Sequence, residues 1–451
     1  MTIDLSLSGS QTTGPGNSVA LSGFENIIGT DFAGGDILTG DGNNNVIDGG
    51  AGNDTLIGGG GDDTLLGGAG NDNLNGGLDN DWFFGGAGAD TFAGGGGTDT
   101  VSYANVTSGT SLTIDLSYTG TGTIRGTGEA AGDVIISDIA KVIGSGTLSN
   151  VFYGRGTAED VTGGAADDTF YGSAGADTFD GAGAGTNGNV VDYSGTAAGT
   201  PSPGITGINL SFNGTNIVGS TFVLGSPDLS NGDKLTNIQK VIGTSNADTV
   251  NLTGYINAFT FQTGNGADSY TGGSGLDTVD LKTGRTVDLT GVNIQGGLGD
   301  DVVIVDQARL SGAGAFTLSG DGATNNAGSN DTLQFWASSG GTLNLSTIIA
   351  SNNSKYQFFE TLDLSKDTVG SSISISSDWI KALVDASVGN TATLTIKLSS
   401  SLGDTYSIGT VSGESSSTSA LAAPAGVISN SLITFSDSGG SAIAKAYIQY
   451  V

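Results

Sequence analysis

Residues Gly49 to Ser102 read GGAGNDTLI, GGGGDDTLL, GGAGNDNLN, GGLDNDWFF, GGAGADTFA, GGGGTDTVS: six blocks of nine with no insertion between them. Each block has two leading glycines, aspartate at position six and an apolar residue at position eight, and in the fourth Asp79 replaces the glycine at position four. A Gly-rich run of six is neither helix nor long strand, so it reads as a turn that needs glycine's freedom in φ. Positions seven to nine then form a short strand whose central residue (Leu56, Leu65, Leu74, Phe83, Phe92, Val101) points to one side and its neighbours to the other. Two blocks make one coil of a flattened parallel helix, and successive coils stack at ~4.8 Å. The apolar residues fill a thin interior. The carboxylates line the two edges, Asp36, Asp54, Asp72 and Asp90 on one, Asp63, Asp81 and Asp99 on the other, with Asn45 heading the second row. Counting back in nines also sets Leu38 and Ile47 at position eight, so the roll is expected to begin near residue 23 and run to about residue 103.

This nonapeptide, G-G-x-G-x-D-x-U-x, resembles the calcium-binding signature of RTX (repeats-in-toxin) proteins. The physics agrees with the resemblance. Rows of like charge repel, and an interior one residue thick buries little apolar surface. A hard cation with about 6–8 oxygen ligands addresses both problems, and glycine turns leave carbonyls free to face it. Each ion is expected between successive turns on one edge, for example those of Asp54 and Asp72. Its candidate ligands are the position-six residues named above, Asp79, and the turn glycines Gly49, Gly50, Gly52, Gly58, Gly59, Gly61, Gly67, Gly68, Gly70, Gly76, Gly77, Gly85, Gly86 and Gly88. A disordered Gly/Asp linker does not require an unbroken period of nine with a fixed apolar position.

The 451-residue chain carries 45 acidic against 13 basic residues, a net charge of −32, and Arg125 is its first base. Direct nucleic-acid binding is excluded, because it needs Lys and Arg against phosphates. Such a chain is expected to be expanded without metal and compact with it. There are 81 glycines but 5 prolines, which fits repeated tight turns better than a linker. With no cysteine and no histidine, disulfides, zinc sites and His-based catalysis are absent. The N-terminal residues show no cleavable signal, and no run approaches the ~18–20 apolar residues of a membrane span.

Along the chain, residues 1–30 read as an N-terminal cap and 31–103 as the main roll. Residues 104–242 read as strand-rich inserts around a second repeat patch at 163–180, with Asp168 and Asp177 nine apart. IAKVIG (139–144) matches IQKVIG (238–243) and FENIIG (24–29), LTIDL (112–116) matches INLSF (208–212), and VSY (101–103) matches VDY (191–193). A plan of roughly a hundred residues thus recurs, which argues for one helical stack rather than several globules. Residues 243–335 hold a degenerate patch with Asp248, Asp268 and Asp277, then single blocks with Asp301 and Asp331, and these five together with Asp168 and Asp177 are further candidate calcium ligands. Residues 336–451 alternate as strands (SSISISS, TATLTIKL, DTYSIGTVS, LITFSDS, AIAKAYIQYV), with Ser377–Ala386 as the one plausible helix. They read as a C-terminal β-domain or as a continuation of the stack with a cap. The fold class is therefore all-β, a parallel β-roll or β-helix solenoid with strand-rich inserts.

The resemblance covers the chain to about residue 335. It implies several calcium ions, export unfolded by type I secretion machinery under a C-terminal signal, and folding outside the cell, secreted or at the cell surface. The family includes toxins, proteases, lipases, epimerases, adhesins and surface-layer proteins. Neither an HExxH helix nor a GxSxG with histidine is present. What remains is most similar to RTX-type surface-layer proteins, although no separate N-terminal anchoring domain is visible. The first expectation is a non-enzymatic structural protein that self-assembles into an extracellular sheet, filament or matrix. The alternative is an adhesin or carbohydrate-binding matrix protein, with cell-surface glycan or lipopolysaccharide as its partner. A carboxylate-based polysaccharide-degrading enzyme is the third, and Arg125, Arg155, Lys282, Arg285 and Arg309 are too scattered to build its site. Trp82 and Phe84 face outward at positions seven and nine, where cover by an insert of the same chain is the plainer expectation.

Overall fold

The computed structural model describes residues 1–7, 10–14, 17–21, 23–109, 111–116, 122–125, 131–137, 139–154, 158–173, 175–183, 185–194, 205–223, 232–283, 285–306, 309, 316–321, 331–336, 356–357, 359, 361–363, 372–375, 392–398, 405–408, 415–421, 430–436 and 442–450. It divides into two units, Met1–Ile205 with Ser220–Gln239, and Thr206–Gly219 with Lys240–Val451. Both are all-β solenoids of stacked parallel strands. No α-helix occurs among the described residues, and the expected helix at Ser377–Ala386 lies outside them.

In the first unit, one sheet runs Thr2–Asp4, Ile37–Thr39, Thr55–Gly59, Asn73–Leu78, Thr91–Gly96, Ala131–Ser137 in parallel, and Gly122–Arg125 closes it antiparallel. A second begins Asn26–Thr30, Val46–Ala51, Thr64–Ala69, Trp82–Ala87, Asp99–Ser102, Ile139–Ile143 and continues through Asp160–Thr162, Thr178–Asp180 and Asp233–Thr236. A third stacks Ser111–Asp115, Ser149–Tyr153, Thr169–Tyr171 and Val190–Asp192.

Register makes the core. Leu38, Leu56, Leu74, Phe92 and Ile135 stack in one column, and Ile27, Ile47, Leu65, Phe83, Val101 and Val142 in another. All are buried, and each such side chain contributes about 1.5–3 kcal/mol. The strands of the main roll are longer than positions seven to nine. Trp82–Ala87 also takes in the two glycines and position three of the next block, pairing Gly86 with Gly68 and Ala87 with Ala69. Glycine allows this because stacked turns touch backbone to backbone. At Gly68, with φ +107°, a Cβ would collide with the Gly50 carbonyl oxygen.

In the second unit, one sheet stacks Ile205–Phe212, Thr249–Asn251, Ser269–Thr271, Asn293–Gly297, Thr317–Asp321 and Tyr356–Gln357. The other stacks Lys240–Ile242, Thr260–Gln262, Thr278–Asp280, Val302–Asp306, Thr332–Trp336, Thr361–Asp363, Ala392–Leu398 and Ala442–Tyr450. Asn430–Ser436 and Ser415–Leu421 then add antiparallel. The parallel stacking thus runs on to Ala442–Tyr450, and the two antiparallel strands follow it in the sheet. Ser415–Leu421 ends this sheet among the described residues.

Candidate metal centre

The turns place the position-six aspartates in two buried ladders. In each, Oδ1 accepts the backbone N–H of the position-six residue one coil earlier. On one edge Asp36 N–H donates to Asp54 (2.6 Å), Asp54 to Asp72 (2.7 Å), Asp72 to Asp90 (2.8 Å) and Asp90 to Asp133 (2.8 Å). On the other Asn45 donates to Asp63 (2.7 Å), Asp63 to Asp81 (2.9 Å) and Asp81 to Asp99 (2.9 Å). Both edges and the place of Asn45 are those expected.

The second carboxylate oxygen is different. Oδ2 of Asp54, Asp63, Asp72, Asp81 and Asp90 is buried with no hydrogen-bond partner. An orphan of this kind costs about 1–3 kcal/mol, more when charged. The position-one glycines keep the space beside these oxygens open. A Cβ on Gly67 would stand 2.5 Å from both Asp72 Oδ2 and the Gly85 carbonyl oxygen, and one on Gly49 would stand 2.6 Å from Asp54 Oδ2 and the Gly67 carbonyl oxygen. Carboxylate and carbonyl oxygens therefore converge on one small space per turn. Among the described residues no three carboxylates cluster, so carbonyls must complete any ligand shell.

Electrostatics point the same way. Burial, with like charge along the row, pushes the carboxyls of Asp63 and Asp72 up to about 6 and those of Asp81 and Asp90 up to about 7. An all-oxygen cradle that lowers the cost of its own burial by taking up positive charge suits a hard cation, which supplies charge neutralisation and a cross-link between coils when bound.

Comparison with known protein families finds the RTX calcium-binding nonapeptide repeat in four copies, over residues 30–65, 66–101, 153–184 and 260–280. The chain carries RTX calcium-binding repeats. Its repeats bind multiple calcium ions. No curated protein matches it.

At the head of the main roll and in the later patches the chain supplies donors of its own to several of these carboxylates. Asp36 is bonded by the Met1 amine and by Thr30 N–H (2.7 Å) and Oγ1 (3.0 Å); burial opposes, yet these bonds hold its carboxyl below the usual range. In the second patch Asn150 donates to Asp168, whose Oδ2 accepts Gly164 N–H at 2.7 Å. Ser173 Oγ lies within hydrogen-bonding distance of both Glu159 (3.0 Å) and Asp177 (3.1 Å), with one proton between them. Burial, then the neighbouring Glu159, pushes Asp177 well up. In the second unit Asp248 Oδ2 accepts Thr244 N–H (2.8 Å) and Asp277 Oδ2 accepts Gly273 N–H (3.1 Å). Asp277 N–H donates to Asp301, and Asp301 N–H to Asp331.

Several residues of these ladders escaped the sequence reading. Asp133 and Asp233 carry each row past an insert, and Tyr103 and Tyr193 donate their hydroxyls to them, each at 2.8 Å. The signal was present: GDVI (132–135) and GDKL (232–235) put aspartate and a buried Ile135 or Leu235 at the spacing of positions six and eight. Asn150 and Glu159 fall in the count of nine with Asp168 and Asp177, and Asn150, Glu159 and Asn189 are each followed two residues on by a buried Phe152, Val161 or Val191, so the same spacing marks them with other polar residues at position six; Arg285 gave no such signal. Asp79 stands apart from the buried rows. It is exposed at position four, where its Oδ2 accepts Gly61 N–H at 3.1 Å. Trp82 remains exposed and stacks on Phe84 with ring centres 6.3 Å apart, so no insert covers it fully.

Proposed function

We propose that this chain is a secreted, non-enzymatic structural protein that folds on meeting calcium outside the cell and self-assembles into an extracellular layer or filament. RTX repeats support calcium binding and a type I secretion context. Within the described residues no helix is long and apolar enough to cross a membrane. In the main roll the proposed ligands are the position-six carboxylates from Asp54 to Asp99 with the position-one carbonyls of the next coil. The observation that carries assembly is the strand Asn26–Thr30, which ends its sheet. Phe24, Ile28 and Phe32 around it are 53, 75 and 78% exposed. An open strand edge beside apolar side chains is a template for another copy.

Electron microscopy of the purified protein with and without calcium tests this. Ordered sheets or filaments that need calcium and are lost in Ile28→Lys are expected, whereas dispersed monomers in calcium would overturn assembly. A second reading, adhesion to a surface glycan, is favoured by the outward-facing pairs Trp82–Phe84 and Tyr153–Tyr171, the latter stacked at 4.6 Å. It gains if monomers retain binding to a glycan array and Trp82→Ala loses it.

A further inference from the structure

We propose that Arg285 is a resident cation that takes the place of calcium at the Asp268 turn, so that this RTX turn folds without metal. The inference deepens the calcium reading and does not depend on assembly. The Asp268 turn has the parts of a calcium turn. Asp268 stands at position six, its Oδ1 accepts the Asp248 N–H at 3.1 Å, and Gly266 at position four has φ +111°. Into its oxygen cage comes a guanidinium. Nη1 donates to Asp268 Oδ2 (2.9 Å) and the Gly264 carbonyl (3.0 Å), Nη2 to the carbonyls of Gly266 (2.6 Å) and Asp288 (2.7 Å), and Nε to Asp288 (3.2 Å). Both charged side chains are 0% exposed. Four oxygens, one carboxylate and three carbonyls, thus meet in a donor set of the type a hard cation takes, and all five N–H donors of the planar fork are matched to it or close beside it.

The backbone is shaped to deliver this side chain. Arg285 lies in the long connection between Thr278–Asp280 and Asn293–Gly297. That connection is latched over the turn: Thr286 N–H (2.6 Å) and Val287 N–H (3.1 Å) both donate to Asn265 Oδ1. Leu289 anchors its far end in the core. The end of the row also bears on the choice of cation. In the next two coils the residues preceding Asn293 and Thr317 are Val292 and Phe316, both buried, so the carboxylate row ends at Asp268. The previous carboxylate, Asp248, is already bonded by Thr244 N–H and Oγ1, each at 2.8 Å. Asp268 thus closes its row, and the guanidinium sets one positive charge directly against its carboxylate.

Hydrogen exchange on the full chain, with calcium and with chelator, tests the proposal. In the wild type, amides of residues 264–271 are expected to exchange at the same rate in both conditions, while those of 54–99 report separately on the main roll. Loss of protection at 264–271 on chelation would overturn it. Arg285→Ala uncovers the oxygen cage. It is expected to bind one more calcium ion per chain by equilibrium dialysis, and its 264–271 amides should exchange at least ~10-fold faster in chelator than in calcium. If the variant is weakened equally in both conditions and binds no additional calcium, Arg285 is an ordinary structural ion pair. Should the variant not fold, the wild-type comparison alone decides.

Discussion

The turns of Asp54 to Asp90 and the turns of Asp248 and Asp268 are built on the same kind of ladder and differ in what completes it. In both, Oδ1 accepts a main-chain N–H from the coil before. In the main roll Oδ2 is left to a cation from outside, whereas Thr244 and Arg285 fill that place in the second unit. Strict repetition goes with the first solution. An ion shared between identical turns needs identical turns, and the spacing between bonded position-six residues holds at 18. In the second patch the spacing is still 18, and in the second unit it runs from 18 at Asp277 to 20, 24 and 30. Longer connections between coils add little loop entropy, so drift is cheap once the ion is dispensable.

The largest expected contrast comes from one substitution made in each region. Asp72→Asn keeps the oxygen that accepts Asp54 N–H and replaces the orphan oxygen by an amide. The calcium midpoint for gain of β-structure, followed by circular dichroism, should rise at least about tenfold, or about 1.4 kcal/mol. Asp248→Asn sets an amide against Thr244 N–H instead. It should lower stability by about 1–3 kcal/mol equally in calcium and in chelator, with the calcium midpoint unmoved. Equal shifts of the midpoint in the two variants would erase the distinction.

A smaller effect, specific to the main roll, is expected on changing pH. Burial raises the folded-state pKa of Asp81 and Asp90 to about 7, well above the ordinary aspartate value of about 3.9. Between pH 4 and about 7 the folded chain without calcium therefore holds more protons than the unfolded one, and its stability falls as pH rises through that window. In chelator the main roll should be more protected at pH 5 than at pH 7.5, and calcium should remove the difference with release of protons. Exchange at residues 54–99 that is independent of pH would count against carboxylate repulsion as the force that calcium relieves.

How much of this contrast was legible follows from what creates a period. The main roll reads directly, because a shared ion forces Gly, Asp and an apolar residue to recur in register, and Leu56 or Phe83 falls where the count of nine puts it. The continuation at Asp133 and Asp233 was legible only as the aspartate-to-apolar spacing, since the preceding inserts break the count. Arg285 was invisible. Its role depends on a connection folding back across residues 264–268, and a base seventeen positions from its carboxylate carries no local signal. Elements maintained by repetition leave a trace in sequence. Elements maintained by a single fitted side chain do not.

Between the two regions lie the tyrosines that end the inserts' ladders. Tyr103→Phe removes the hydroxyl bonded to Asp133 Oδ2, and Tyr193→Phe the one bonded to Asp233 Oδ2. Each should cost about 1–2 kcal/mol, read as a lower urea midpoint in saturating calcium. Two similar losses would show that the long-period repeat is a physical equivalence, two inserts rejoining the roll by the same bond. A loss in one alone would make the match between VSY and VDY accidental.

The smallest effect concerns backbone rather than charge. Position four takes a left-handed conformation in both regions, with φ +136° at Gly70 and +111° at Gly266, and Asp79 alone among the main-roll turns does so with a side chain, at φ 70°. Such a conformation costs a non-glycine residue about 1–2 kcal/mol. The bond from Gly61 N–H offsets part of this at an exposed site. Asp79→Gly should therefore change stability by less than about 1 kcal/mol, with the calcium midpoint unaltered, because Asp79 faces away from the buried rows. A raised midpoint would place Asp79 among the ligands and enlarge the calcium site. An unmoved one would show that the shape of the turn belongs to the chain in both regions, and that only the source of positive charge divides them.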